Sequence, residues 1–240
     1  GLLACGGYPN LRGDLLMIKL INADCLPAMK AMPDKAFDLA IVDPPYGKQN
    51  FTGGGSHTKS CCKFGNLYRE NNKAWNIAPS AEYFTELSRI SQNQILWGGN
   101  YFNLAPTRCF LIWDKIRFVN NFSRIEYAWT SFDKQPNIFQ FCGNGGFIAA
   151  AIDTPKISPT QKPVALYKWL LTNYAKPGDK ILDTHGGSMS IAIACHDLGF
   201  DLTLYEIDKD YFQAGKERLE RHMAQSNLFM EPSELIVEAS

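Results

Sequence analysis

The sequence has no excess of charge of either sign, since 24 Lys and Arg balance 24 Asp and Glu over 240 residues. A protein that coats nucleic acid by bulk electrostatics is therefore not expected, although a local basic face stays open. Charge is instead segregated along the chain. Between Lys48 and Lys73 the basic residues Lys48, Lys59, Lys63, Arg69 and Lys73 face only Glu70, whereas from Glu206 onward eight acids outnumber four basic residues. No apolar run approaches the length a bilayer needs, so no membrane span is expected. The seven cysteines form no repeated Cys-x-x-Cys pairs, and Cys61 and Cys62 are adjacent. Neither a disulfide framework nor a zinc site follows, and a reducing cytoplasm is the simpler setting. His57, His185, His196 and His222 lack ligand-like spacing, so no metal is expected. Internal repeats are absent too. Leu2-Leu3-Ala4-Cys5 has the form of a lipoprotein cleavage box without a basic or apolar stretch before it.

What is present suits one α/β domain with a sizeable core. Its centre is Asp38-Leu39-Ala40-Ile41-Val42-Asp43-Pro44-Pro45-Tyr46-Gly47, an apolar run that stops in an acid, two prolines and an aromatic ring. Two prolines fix φ and cannot continue a ladder, so a buried strand must leave the sheet where a carboxylate and a ring are presented.

Met17 opens the first strand-like run, to Asn22, and residues 1–16 read as an extension outside the fold. Cys25 to Met32 reads as one or two helical turns. From Gly47 to about Ser80 the chain is polar, glycine-containing and aperiodic, and its basic excess favours a loop facing nucleic acid. Apolar residues at Tyr83, Phe84, Leu87 and Ile90 predict a helix over 81–90, with Ser80 as N-cap. Strand-like runs follow at Gln94–Trp97, Cys109–Trp113, Ile125–Ser131 and Asn137–Cys142, with at least one antiparallel hairpin among them. Pro163 to Tyr174 resumes helical spacing, with Pro163 in the first turn. A βαβα alternation closes the domain: strand Lys180–Leu182, helix Ser188–Leu198 ending at Gly199, strand Leu202–Tyr205 and helix Asp210–Met223. The tail 225–240 is weakly patterned, packed on the surface or mobile. Trp97, Trp113, Trp129 and Trp169 lie in apolar runs and read as core.

Leu182-Asp183-Thr184-His185-Gly186-Gly187-Ser188 leaves a strand and enters a helix, and Glu206 ends the next strand, 23 residues beyond Asp183. In a parallel sheet that spacing puts a tight turn beside a helix N-terminus and an acid where ribose hydroxyls would lie. The pattern is nucleoside-binding. No Walker lysine accompanies it, which leaves phosphate transfer without support.

Taken in order, Asp43 to Tyr46, Ser158-Pro159-Thr160-Gln161-Lys162-Pro163 and 183–188 resemble the DPPY, PTQKP and D-P-F-x-G-S-G motifs of the β-class amino methyltransferases of DNA. Leu96-Trp97-Gly98-Gly99-Asn100-Tyr101 and Glu126-Tyr127-Ala128-Trp129-Thr130-Ser131-Phe132 are similar to adenine methylases of phage and prophage type. The resemblance runs from about Met17 to Arg221. Thr184-His185 stands where the family usually has Pro-Phe, and Met189 where a second glycine usually follows the serine.

The resemblance implies a doubly wound, mostly parallel, seven-stranded Rossmann-like sheet with an antiparallel strand and circularly permuted motif order, spanning 17–224. Residues 47–80 would be the DNA-facing loop and 133–158 a short target-recognition segment. It implies S-adenosylmethionine as donor, without a metal, and the N6 amino group of adenine in double-stranded DNA as acceptor. Asp43 and the Pro44 carbonyl would accept the two N–H bonds of the amine, Pro45 would stiffen the turn, and Tyr46 would stack on the flipped base. Asp183, Gly186, Gly187 and Ser188 would surround the methionine moiety, Glu206 would take the ribose, Asp24 the adenine end, and Thr160 and Lys162 the carboxylate side. Asp43 would lie at the same crevice. Cytosine-N4 methylation and a non-catalytic DNA-binding subunit stay open as alternatives. The expected setting is cytoplasmic and nucleoid-associated, in a bacterial or phage-infected cell, with a homodimer compatible with the family.

Overall fold

The computed structural model describes residues 16–47, 77–116, 123–142, 157, 161–226 and 234–239. In chain order the elements are β1 (Met17–Asn22), α1 (Cys25–Ala31), β2 (Phe37–Val42), α2 (Ala81–Ile90), β3 (Ser91–Trp97), β4 (Phe110–Asp114), β5 (Ile125–Thr130) and β6 (Asn137–Gln140). Then follow α3 (Val164–Tyr174), β7 (Lys180–Asp183), α4 (Ser190–Leu198), β8 (Asp201–Tyr205), α5 (Lys209–Ser226) and β9 (Glu234–Ala239).

One sheet takes the order β6-β4-β5-β3-β2-β7-β8-β1-β9. It has nine strands where the resemblance implied seven; the edge β6 coincides with the strand-like run expected at Asn137–Cys142, whereas the other edge, β9, was not expected. β5 runs antiparallel to both β3 and β4, and the other pairings are parallel. The tail expected to lack pattern supplies β9, which pairs in parallel along all of β1 from Met17–Glu234 to Asn22–Ala239. A short segment with a free strand edge beside it becomes a strand by pairing, a cause that lies outside its own sequence. Leu16, expected outside the fold, is buried in the core.

The apolar run of β2 is explained by burial on both faces, as a central parallel strand requires. Leu39 and Ile41 join a core with Leu166, Leu170, Ile191 and Leu219 of α3, α4 and α5, while Ala40 and Val42 join one with Met29, Tyr83 and Leu87 of α1 and α2. At roughly 1.5–3 kcal/mol for each fully buried large aliphatic side chain, these two layers hold the strand ends that carry the acids. Two helix starts differ from expectation. Pro163 is the N-cap residue of α3 instead of lying in its first turn, and α4 begins at Ser190 after Met189, whose φ is 57°. The Ser80 side chain makes no capping bond to α2.

The basic loop lies outside the described residues from 48 to 76, as do residues 143–156 and 158 of the expected recognition segment and Thr160. No described helix is long and apolar enough to cross a membrane.

Candidate active site

β2 lies between β3 and β7, with Ala40 opposite Leu182, so the turns that follow Val42 and Leu182 emerge side by side at the C-terminal end of the sheet. Connections run away from this seam in both directions, and such a switch point opens a crevice.

On the β2 side, Asp43 is engaged at both oxygens. Tyr46 Oη donates to Oδ1 at 2.7 Å, and the buried Lys162 Nζ donates to Oδ2. Lys162 Nζ also stands 3.3 Å from Glu126 Oε2, and Lys115 Nζ stands 2.7 Å from Glu126 Oε1. Beneath it the Trp97 ring lies with its centroid 5.5 Å from the ammonium. Burial works against the Lys162 charge, but Asp43 and Glu126 outweigh it and hold the ammonium well above the ordinary lysine range. Burial likewise opposes ionisation of Glu126, and Lys162 and Lys115 bring it below the usual carboxylate value. The Tyr46 hydroxyl is raised far above its ordinary value by burial and by Asp43, so it is a donor.

The Tyr46 ring, half-buried, lies tilted by 32° against the exposed Tyr101 at 4.8 Å and meets Phe102 edge-on at 6.1 Å. Its seat depends on Gly98. That residue has φ 68°, and a Cβ there would fall 2.1 Å from Tyr46 Cε1.

On the β7 side, Asp183 is buried and accepts from His185 N at 2.9 Å; burial pushes its carboxyl up to about 8. Glu206, at the end of β8, accepts from Gly187 N at 2.7 Å and Asp208 N at 2.8 Å, and burial raises it. The backbone passes close to β8 at Gly186, where a Cβ would meet Leu204 Cδ2 at 2.2 Å. Ser188 is buried, its hydroxyl 3.2 Å from Ser190 Oγ and its carbonyl accepting from Arg218 at 2.7 Å. Asp24 is exposed and caps α1 by accepting from Leu26 N at 3.0 Å. The Asn22 side chain donates to the Glu206 carbonyl at 2.8 Å, which ties the ends of β1 and β8 together.

The unusual residues of this turn have partners of their own. Thr184 Oγ1 shares a 2.6 Å hydrogen bond with Tyr83 Oη and a 2.9 Å one with His185 Nδ1. The His185 ring stands edge-on to Tyr83 at 5.5 Å, and burial lowers it to about 4, so it is neutral near pH 7. Met189 is fully buried against Gly215 of α5, where a Cβ would come within 2.7 Å of its Cγ.

Of the residues expected at the site, Asp43, Pro44, Pro45, Tyr46 and Lys162 come together on one side and Asp183, Gly186, Gly187, Ser188 and Glu206 on the other. Thr160 is outside the described residues. Glu126, Lys115 and Tyr101 were not anticipated as site residues. The 96–101 and 126–132 motifs were the signals that pointed to two of them. His196 and His222, far apart in sequence, meet at Asp197, whose carboxylate also binds Lys168 at 2.6 Å.

A doubly wound sheet with an acid-bearing Pro-Pro turn and a glycine turn on adjacent strands defines a Rossmann-like architecture with both turns at one crevice. Residues 122–217 match the DNA methylase family model N6_N4_Mtase. M.HpaI of Haemophilus parainfluenzae, a type II methyltransferase, is 25% identical over 245 residues, covering 84% of this chain and 74% of its own length. YubD of Escherichia coli (strain K12), described as a methylase, is 24% identical over 85% of this chain and 90% of its own. Among solved structures, TTHA0409 of Thermus thermophilus, described as a DNA modification methylase, superposes with TM-score 0.54 at 16% identity over 93% of this chain and 100% of that one. Its complex with S-adenosyl-L-methionine gives 0.53. The cytosine-N4-specific PvuII DNA methyltransferase gives 0.52 at 13% identity, over 92% and 95%. The family model covers residues 122–217, and the likeness to the solved DNA methylases is one of fold: this chain shares their Rossmann-like sheet.

Proposed function

We propose that this chain is a site-specific methyltransferase that uses S-adenosylmethionine to methylate the N6 amino group of adenine in double-stranded DNA. The adjacency of β2 and β7 carries the reading, because it brings an acceptor turn and a donor turn to one crevice. The residues present fit that donor. Glu206 has about four lone-pair sites and gives three to the backbone N–H groups of Gly187, Ile207 and Asp208, which leaves acceptor capacity for a ribose diol beside the close-approach turn at Gly186 and Gly187. Asp24, at the neighbouring end of β1, suits the adenine side, whereas Lys162, expected at the carboxylate, is buried between Asp43 and Glu126 and serves the acceptor turn instead. A relative with S-adenosyl-L-methionine bound supports the same donor here.

When bound, S-adenosylmethionine supplies an electrophilic methyl group. The acceptor nitrogen is a poor nucleophile, since its lone pair is conjugated into the ring. Asp43 and the Pro44 carbonyl would accept its two N–H bonds, turning the lone pair out of the ring plane and stabilising positive charge as it develops. Pro45 limits the freedom of the turn. Tyr46, backed by Tyr101, would offer a face to the extruded base and offset part of the few kcal/mol that unstacking costs. The proton leaves to solvent after transfer, so no strong base is needed.

Asp at position 43, where cytosine enzymes of this class tend to carry Ser, favours adenine. The test is to methylate DNA with labelled donor, digest it and identify the labelled nucleoside. N6-methyladenine is expected; label in N4-methylcytosine, or only in RNA, would overturn the assignment. A non-catalytic DNA-binding role is favoured only by Thr184, His185 and Met189. Their partners in Tyr83 and Gly215 remove most of that argument. Absence of S-adenosylmethionine binding at about millimolar concentration, with DNA binding retained, would restore it. DNA as substrate implies a cytoplasmic, nucleoid-associated enzyme, and the short recognition segment favours a homodimer.

A further inference from the structure

Four charged groups alternate in sign across the crevice rim: Lys115, Glu126, Lys162 and Asp43. The topology makes this inevitable. β4 ends at this rim and Lys115 follows it, while β5 runs the opposite way, so an early residue of β5, Glu126, arrives at the same height opposite Trp113. Lys162 reaches in from the start of α3 and is the most buried of the four side chains, at 4% exposure against 12% for Lys115, 25% for Asp43 and 28% for Glu126. It cannot retreat, because the fully buried Trp97 lies beneath it.

A lone buried ammonium touching Asp43 would cancel the charge that the acceptor turn needs. With a second carboxylate sharing Lys162, less of the ammonium's field falls on Asp43, which keeps more of its own negative field on the side where the amine becomes cationic. Resting on the methyltransferase reading above, we infer that Glu126 is a positioning residue for transfer: it draws Lys162 between two carboxylates and thereby preserves the negative field at Asp43. Glu126 itself does not touch the acceptor. Its effect is confined to the transition state, where charge develops, and not to the binding of either substrate.

The experiment compares the unaltered chain with E126Q, K115M and the double variant E126Q/K115M. Steady-state transfer to DNA gives kcat and KM, calorimetry gives affinity for S-adenosylhomocysteine, and melting curves report folding. E126Q is expected to lower kcat about tenfold while KM for DNA and affinity for S-adenosylhomocysteine stay within about threefold. E126Q/K115M is expected to be as slow as E126Q. Wild-type kcat in E126Q overturns the inference, and so does recovery in the double variant, which would assign Glu126 to Lys115 alone. A fall in S-adenosylhomocysteine affinity that matches the fall in kcat would do the same, since it marks a general loss of the site. Should E126Q fail to fold, the double variant removes the outer pair together and leaves Lys162 balanced by Asp43, and its kcat decides in the same way. If the unaltered chain transfers no methyl group, the proposed function falls and takes this inference with it. If it does and the variants match it, only the role of Glu126 falls.

Discussion

Asp43 and Asp183 end adjacent strands, yet their surroundings ask opposite things of a carboxylate. Asp43 is paired with Lys162 and Tyr46 at the crevice rim, where a charge can be used. Asp43→Ala is expected to lower turnover by about a thousandfold or more while S-adenosylhomocysteine affinity stays within about threefold, since the proposed chemistry assigns the side chain to the acceptor. Methyl-transfer assays with calorimetry read both quantities, and retained activity would remove the proposed chemistry. Asp183 is buried, and its carboxyl is pushed up to about 8 from an ordinary value near 4. The folded state therefore holds a proton that the unfolded chain releases between those values. The stability this gives is full below about pH 4 and is lost as pH rises through about 8. Asp183→Asn lacks that proton equilibrium. The stability of the wild type relative to this variant should fall with pH by roughly 1 kcal/mol per unit between 5 and 8, measured by denaturant melts. Both acids were legible in sequence because each stands where an apolar run breaks. Their protonation was not, since burial is set by residues far away in the chain.

Among the elements, the turn after β2 is only half specified by its own prolines. Its ring is seated by the glycine after β3, at a left-handed φ of 68° and without room for a side chain. Gly98→Ala is expected to cost about 1–3 kcal/mol in stability and to lower kcat, because the added methyl displaces the Tyr46 ring and strains the backbone. Thermal melts and transfer assays check it, and an unchanged melting temperature would mean that the ring moves freely. The donor turn shows the same dependence. Met189 takes a left-handed conformation, and its side chain fills the slot left by Gly215, 26 residues later. The compensating glycine sits on another helix, where local pattern gives no warning of it.

For the molecule as a whole, the sheet grows outward from a seam. β2 and β7 lie at its centre, and the edge strand β9 is three strands beyond β7. Deleting residues 234–240 should lower stability by on the order of 1–3 kcal/mol and expose the edge of β1 to self-association, with methyl transfer per folded molecule retained. Melting curves and size-exclusion chromatography would test this; loss of activity in the folded, monomeric truncation would mean that β9 reaches the site after all.

Local chemistry alone settled the order of strands and helices from β1 to α5, the acid-bearing stop at Asp43 and the glycine turn before α4. Each of these follows from dihedral limits and hydrophobic spacing within a few residues. Tertiary structure decided which groups share a field. The reversal of β5 sets Glu126 beside Lys162, the approach of α3 sets Lys162 against Asp43, and a free edge on β1 recruits β9. Charge interactions and strand pairing act across space between residues distant in the chain, so only the folded arrangement could assign them.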